Sequence, residues 1–212
     1  MEVPELGRVW GCGFGLFFPD MSAVGARLGI QLARKVLKME GMQVSQTAYP
    51  ASFGQQRLWF LDQLEPGTAA YNMARAFRIT GPLDIRVLTR AFETIVRRHE
   101  ALGTTFDSVD GEARRIVLSD VEVRIPVLDL TDIPKHEREK QALRIAGEEG
   151  KKAFDLTEGP LRRAVLVRLG AKQHLLILVM HHIVTDGWSI ALVVLRTSVF
   201  FAKCSICVYM IW

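Results

Sequence analysis

Two periods in the hydrophobic and polar positions divide the chain from Tyr49 onward into predicted helices and strands. Apolar residues that recur every three or four positions indicate helices, whereas alternating or continuous short apolar runs indicate strands. The pattern predicts helices over 53–64, 85–98 and 134–154, and strands over 71–80, 104–106, 115–118, 121–128, 161–169 and 174–180.

Polar residues at the helix starts support these assignments. Ser52 and Gln55, three residues apart, form a capping-box pattern, and Asp84 is the predicted N-cap of the second helix. The first helix is expected to bury a face of three leucines, Leu58, Leu61 and Leu64. The second is expected to bury a broader apolar face, formed by Ile85, Val87, Leu88, Ala91, Phe92, Ile95 and Val96.

Strand pairing follows from the turns. Asp110-Gly111 marks a hairpin between 104–106 and 115–118, and Gly170 to Lys172 a second between 161–169 and 174–180. The run 174–180 is apolar at almost every position, so we expect a central strand covered on both faces. The sequence therefore predicts an α/β sandwich.

The two ends of the chain lack these helix and strand patterns. Residues 1–46 are glycine-rich and show only one amphipathic stretch, over 26–39, so they are treated as an extension of unknown role. A helix is expected to begin after Ser189, but 197–212 offers almost no charged outward position. The predicted division is an extension (1–46), one folded unit (47–196) and an atypical apolar tail (197–212).

Composition narrows the class of protein. Of 212 residues 49% are hydrophobic and 24% charged, which suits a globular protein with a sizeable core. The net charge of +4 comes from scattered basic residues, so no nucleic-acid partner is predicted. Three cysteines form no disulfide framework, and acidic residues precede the apolar stretch 9–18 where a signal peptide would be basic. Arg196 and Lys203 interrupt the apolar end, so we expect a cytoplasmic protein without a membrane span.

Candidate chemistry lies directly after the central strand, at His181, His182 and Asp186. These residues could bind a metal, could be satisfied core groups, or could be catalytic. Neighbouring strand residues point to opposite faces, so two adjacent histidines do not converge on a metal, and no metal site is predicted. The same geometry lets one imidazole pack while the other faces substrate. Because no Ser or Cys nucleophile motif accompanies them, a histidine general base is favoured.

Three motifs, in order, resemble those of condensation domains of nonribosomal peptide synthetases. The stretch 181–189, HHIVTDGWS, resembles the His-His-x-x-x-Asp-Gly signature. Residues 52–59, SFGQQRLW, resemble the Ser-x-Ala-Gln-x-Arg-Leu-Trp motif, and 98–106, RHEALGTTF, resemble Arg-His-Glu-x-Leu-Arg-Thr-x-Phe. The resemblance extends over about 49–195, with Gly103 in place of the usual arginine, a change expected to loosen the junction between helix and strand.

The resemblance implies a chloramphenicol-acetyltransferase-like two-layer sandwich and the formation of an amide bond between two carrier-bound thioesters. His182 would be the catalytic histidine, with His181 beside it. Asp186 would be structural and paired with an arginine, for which Arg57 is the candidate. Gly187 would give substrate room and donate an N–H to a developing oxyanion.

The family has two lobes, and the motifs here cover only the N-terminal one. We therefore expect a truncated chain, weak or inactive alone, that needs the missing C-terminal lobe and carrier proteins whose phosphopantetheine holds the substrates. No cofactor is expected on this chain itself. Alternatives are a non-catalytic fragment for carrier docking or lobe pairing, and an epimerization domain or stand-alone acyltransferase of the same superfamily; Trp188-Ser189 favours condensation over epimerization.

Overall fold

The computed structural model describes residues 46–109, 111–119, 121–190 and 206–211. These belong to one compact unit, Val44–Trp212. The described helices are α1 (Phe53–Leu64), α2 (Ile85–Arg98) and α3 (Lys135–Lys151), with a short 3-10 turn at Glu100–Gly103. The strands are β1 (Gln46–Pro50), β2 (Asn72–Thr80), β3 (Thr104–Val109), β4 (Glu112–Leu118), β5 (Val127–Asp129), β6 (Arg162–Gly170), β7 (Gln173–His181) and β8 (Cys207–Met210).

The larger sheet has five strands in the order β5-β6-β7-β2-β8, and β7 lies at its centre. Strands β6 and β7, which form the last predicted hairpin, are antiparallel, with a register irregularity between Arg168 and Gly170. On its other side β7 pairs antiparallel with β2, so that His181 lies opposite Asn72. Every residue of β7 after Gln173 is buried, which confirms the prediction of a central covered strand.

Helices cover both faces of this sheet. On one face α3 contributes Ala142 and Ala146 to a core that contains alternate β7 residues such as Ile177. On the other face α2 contributes Leu88 and Phe92 to a core that contains the intervening β7 residues. The α/β prediction is confirmed, but the described helices make three layers rather than two. The reason is that β7 is apolar at almost every position, so both faces of the sheet must be covered from water.

A second sheet, in the order β1-β4-β3, contains the predicted hairpin, in which β3 and β4 pair antiparallel. Gly111 has a φ of +81°, a backbone conformation that side chains disfavour, and this explains the glycine at the turn. The 3-10 turn before β3 is tightly packed: a Cβ added at Gly103 would lie 2.8 Å from Val121 Cγ2. The expected loosening at Gly103 is therefore wrong, because Val121 fills the space beside the glycine.

Helix α1 begins as predicted but packs differently. The capping box is present, with Ser52 and Gln55 each accepting the other's backbone N–H. The predicted leucine face is buried only in part: Leu58 packs against the core and Leu61 is half-buried, but Leu64 is 62% exposed. The buried residue of α1 is Asp62. Burial and the nearby Asp155 raise the pKa of Asp62. Phe53 is 90% exposed, so α1 presents apolar side chains to solvent.

One predicted strand is too long, and two segments fall outside the described residues. The strand expected over 121–128 is reduced to β5, because pairing with β6 begins only where the Pro126 carbonyl accepts the Leu166 N–H; proline itself has no N–H to donate. The end of the atypical tail forms β8, which pairs antiparallel with β2. Residues 1–45 of the predicted extension 1–46, including its predicted helix, and the stretch 191–205 are not among the described residues. No helix in the described ranges is long and apolar enough to span a bilayer.

Candidate active site

The two histidines lie where the central strand β7 ends. His181 is the last residue of the strand, and its N–H donates to the Leu161 carbonyl. The N–H of His182 donates to the Tyr71 carbonyl, just before β2 begins. Both histidine backbones are therefore held by neighbouring chain segments, although the side chains point in different directions.

His181 is a buried, neutral histidine. Its side chain is 1% exposed and its ring lies against Tyr71 and Phe154, at centroid distances of 6.2 and 6.3 Å. Burial, followed by the nearby His182, lowers the pKa of His181 to about 4. Its Nδ1 accepts the N–H of Ile183 at 3.1 Å, so the neutral ring carries its proton on Nε2.

His182 is exposed and has the opposite tautomer. Its Nδ1 lies 2.7 Å from the carbonyl oxygen of Thr185. A carbonyl only accepts, so Nδ1 carries the proton and donates it, and the Nε2 of the neutral ring is left with a lone pair. Among the described residues, Nε2 has no hydrogen-bond partner. This nitrogen can therefore accept a proton from a ligand.

Asp186 is the N-cap of a helix that begins at Gly187, three residues before the predicted start. Its carboxylate Oδ1 accepts the backbone N–H of Ser189 at 2.7 Å, and its carbonyl accepts the N–H of Ile190. Hydrogen bonds from the Ser189 side chain and backbone hold the pKa of Asp186 below its usual value. The first backbone N–H groups of a helix have no partner within it, which places free donors directly after Asp186.

Gly187 leaves open space beside those donors. A Cβ added there would meet Met73 Cε at 4.0 Å, an ordinary contact distance, and the glycine backbone is exposed. The glycine is thus required neither by close packing nor by a positive φ. Its lack of a side chain instead keeps the helix start accessible to a ligand.

The predicted ion pair between Arg57 and Asp186 is not formed. Both side chains are exposed, and the described ion pairs do not include either of them. The physical reason is that the Asp186 carboxylate turns toward the start of its own helix, where the Ser189 N–H satisfies it. In place of the ion pair, Asp186 caps the helix that follows it, and its structural role stays a prediction.

Sequence reasoning missed one contact, made by Gln55. Its Nε2 donates to the carbonyl of Ile183 at 3.3 Å and so joins α1 to the loop that follows the histidines. The sequence pattern marks Gln55 only as part of the capping box. Its position inside the first of the three motifs is the signal that could have indicated a second role.

The surroundings of His182 in the described part of the chain are open rather than enclosed. A cavity of about 560 Å³ lies by the start of β6, but His182 is not among its lining residues. Among the described residues, no three His, Cys, Asp or Glu side chains lie together in a group that could hold a metal ion. The chemistry that the site offers is therefore that of one exposed imidazole beside a helix start.

Comparison with known proteins gives consistent matches. Residues 45–204 match the family described as "Condensation domain". Phosphinothricin tripeptide synthetase PhsC of Streptomyces viridochromogenes is 43% identical over 68% of this chain, and bacitracin synthase 2 of Bacillus licheniformis is 35% identical over 82%. The first condensation domain of the CDA synthetase is 28% identical over 73% of this chain, with a TM-score of 0.67.

The chain spans only part of each of these proteins. It covers 13% of PhsC, 6% of the bacitracin synthase and 40% of the CDA synthetase chain. The family match nevertheless includes all three motifs and every described element from β1 to β7. The chain accordingly belongs to the condensation-domain family of nonribosomal peptide synthetases.

Proposed function

We propose that this chain is the N-terminal lobe of a two-lobe, chloramphenicol-acetyltransferase-like condensation domain, and that the complete domain forms an amide bond between two carrier-bound thioesters. The observation that carries the proposal is the exposed His182 ring, whose Nδ1 is occupied by the Thr185 carbonyl and whose Nε2 can accept a proton. Partial coverage of the solved condensation domains supports the one-lobe assignment.

In the proposed reaction the amine of the acceptor aminoacyl thioester attacks the carbonyl carbon of the donor acyl thioester. The new C–N bond forms, Nε2 of His182 takes the proton that the amine loses, and the C–S bond then breaks. The donor carrier leaves as a thiolate, which takes the proton from the His182 imidazolium and becomes a thiol. The imidazolium formed at His182 is stabilised by its Nδ1–H bond to Thr185, because hydrogen bonds from charged donors are the stronger ones.

The helix start supplies the second element of the mechanism. The carbonyl oxygen of the donor thioester becomes negatively charged in the tetrahedral intermediate. Backbone N–H groups at a helix N-terminus suit such a charge. In this proposal Gly187 allows the oxygen to approach, and its N–H donates to it.

The proposed partners follow from the same reaction. Both substrates are held on the phosphopantetheine of carrier proteins, the second lobe completes the site, and this chain binds no cofactor of its own. The whole assembly is assigned to the cytoplasm. Water reaches the exposed His182 directly in a single lobe, so we expect little or no turnover without the second lobe.

The test combines this chain with the C-terminal half of a related condensation domain and two loaded carrier proteins. Mass spectrometry of the carrier-bound products measures amide formation. His182→Ala should lower the rate by about 100-fold or more, the usual contribution of a general base. His136→Ala, at an exposed histidine of α3, should leave the rate unchanged. Turnover that survives in His182→Ala would refute the assignment of the base.

The second candidate is a non-catalytic role in carrier docking or lobe pairing. Two exposed apolar side chains, Phe53 and Trp188, favour it, since both neighbour the motif residues and remain uncovered in this chain. In that case the chain would bind a carrier protein or the second lobe in a pull-down, and the reconstituted mixture would form no amide product.

A further inference from the structure

Gln55 contacts two backbone segments with one side chain. Its Oε1 accepts the N–H of Ser52 at 3.0 Å, which completes the capping box of α1. Its Nε2 donates to the carbonyl of Ile183 at 3.3 Å, although the two residues are 128 positions apart in the chain. The amide orientation follows from the partners, because a backbone N–H must face the amide oxygen and a carbonyl must face the NH₂ group.

The Ile183 carbonyl lies inside the turn that sets the tautomer of His182. In this turn the Ile183 N–H donates to the buried His181 ring, and the Val184 N–H donates to the His181 carbonyl. The turn then brings the Thr185 carbonyl to within 2.7 Å of His182 Nδ1. With the Gln55 contact included, both backbone polar groups of Ile183 are bonded to side chains.

We propose that Gln55 is a positioning residue for His182: it holds the 183–185 turn so that the Thr185 carbonyl keeps the imidazole proton on Nδ1 and leaves Nε2 as the basic nitrogen. The role rests on the proposed function of His182 as the base. Gln55 acts through the turn and has no contact of its own with the imidazole among the described bonds. It thereby couples the first motif to the third.

Gln55→Glu separates this role from helix capping. Glutamate keeps an oxygen that accepts the Ser52 N–H, and glutamate at this position is itself a favourable capping-box residue. It cannot donate to the Ile183 carbonyl. The matched control is Gln56→Glu, which adds the same charge one residue later; the Gln56 amide donates to the Ala51 carbonyl instead.

The readout is the tautomer of His182, measured in the 212-residue chain from the ¹⁵N chemical shifts of its ring at a pH where the ring is neutral. Free imidazoles favour the proton on Nε2, so loosening the turn should increase that form. Losing one hydrogen bond should shift the ratio of the two tautomers about three- to tenfold in Gln55→Glu, with no shift in Gln56→Glu. Urea unfolding of both variants shows whether the fold is retained.

Three results would overturn the proposal: an unchanged tautomer ratio in a folded Gln55→Glu variant, an equal shift in Gln56→Glu, or a wild-type ring with its proton on Nε2. If Gln55→Glu does not fold, Gln55→Met takes its place, because it removes the donor without adding charge. The measurement needs no substrate. The tautomer measurement can therefore succeed or fail whether or not the amide-forming assay does. A tautomer shift without turnover in the reconstituted mixture would reject only the proposed function.

Discussion

At the scale of single residues, the site depends on two adjacent histidines with opposite environments. His181 is buried and accepts a hydrogen bond at Nδ1, whereas His182 is exposed and donates from Nδ1. The alternation of side chains along a strand predicted that the two would point apart. It could not predict the tautomers, because these depend on the Ile183 N–H and the Thr185 carbonyl, which only the folded turn brings to the rings.

The buried His181 predicts a specific acid sensitivity. Its pKa is lowered from 6.5 to about 4, so between these pH values the unfolded chain binds a proton at this residue and the folded chain does not. Stability due to this group is complete above pH 6.5 and is lost as the pH falls toward 4. The loss is about 3 kcal/mol. Urea unfolding across this pH range measures it.

His181→Asn isolates this contribution, because the amide oxygen can accept the Ile183 N–H but the side chain does not titrate. The variant should be less stable at neutral pH, since it fills less of the space beside Tyr71 and Phe154. Its free energy of unfolding should fall less steeply between pH 6.5 and 4. His136→Asn, at an exposed position, should retain the wild-type slope. Parallel curves for wild type and His181→Asn would contradict the assignment.

At the scale of elements, the predictions succeeded where one physical term dominates. Helix α2 has a strongly amphipathic sequence and an Asp84 cap, and its bounds and buried face were predicted, except that Val87, expected in the buried face, is 38% exposed. Helix α1 was predicted as a helix, but its leucine face is buried only in part, because its apolar residues lie on more than one side. The short β5 depends on pairing with β6, which no local pattern reveals.

The helix after the histidine motif provides the test at this scale. Asp186→Ala removes its N-cap and should lower the free energy of unfolding by about 1 kcal/mol. Asp186→Asn should retain most of the stability, because its side-chain oxygen also accepts the Ser189 N–H. Arg57→Ala should change stability by less than about 0.5 kcal/mol, as expected for an exposed side chain that joins none of the ion pairs of the described residues. Urea unfolding of the three variants measures these differences.

The same three variants distinguish capping from the ion pair implied by the family resemblance. If Asp186 acted through Arg57, loss of the charge in Asp186→Asn would be as damaging as Asp186→Ala, and Arg57→Ala would match both. The capping role instead predicts that Asp186→Ala alone has a clearly lowered free energy of unfolding, while Asp186→Asn and Arg57→Ala stay close to the wild type.

At the scale of the whole molecule, the described core is well covered but the region of the motifs is not. Helices α2 and α3 bury both faces of the five-stranded sheet. Near the site, however, Phe53 and Trp188 are 90% and 75% exposed. The family resemblance implied that this chain needs a C-terminal lobe to cover its site. It could not say which side chains are left uncovered there, since that required the orientation of α1 and of the helix that begins at Gly187.

These exposed side chains give the last prediction. If a second lobe completes the domain, Trp188 should become buried in the contact, and aromatic side chains of this kind account for much of the binding energy at interfaces. Trp188→Ala should weaken binding of a C-terminal lobe supplied separately by about 2 kcal/mol, or roughly 30-fold in Kd. Isothermal titration calorimetry measures the Kd. Leu143→Ala, at a half-exposed residue of α3, is the matched control and should bind as wild type. Equal affinities for the wild type, Trp188→Ala and Leu143→Ala would place the second lobe elsewhere on the chain. The exposure of Trp188 would then be explained by carrier docking, which the same calorimetry with a loaded carrier protein can measure.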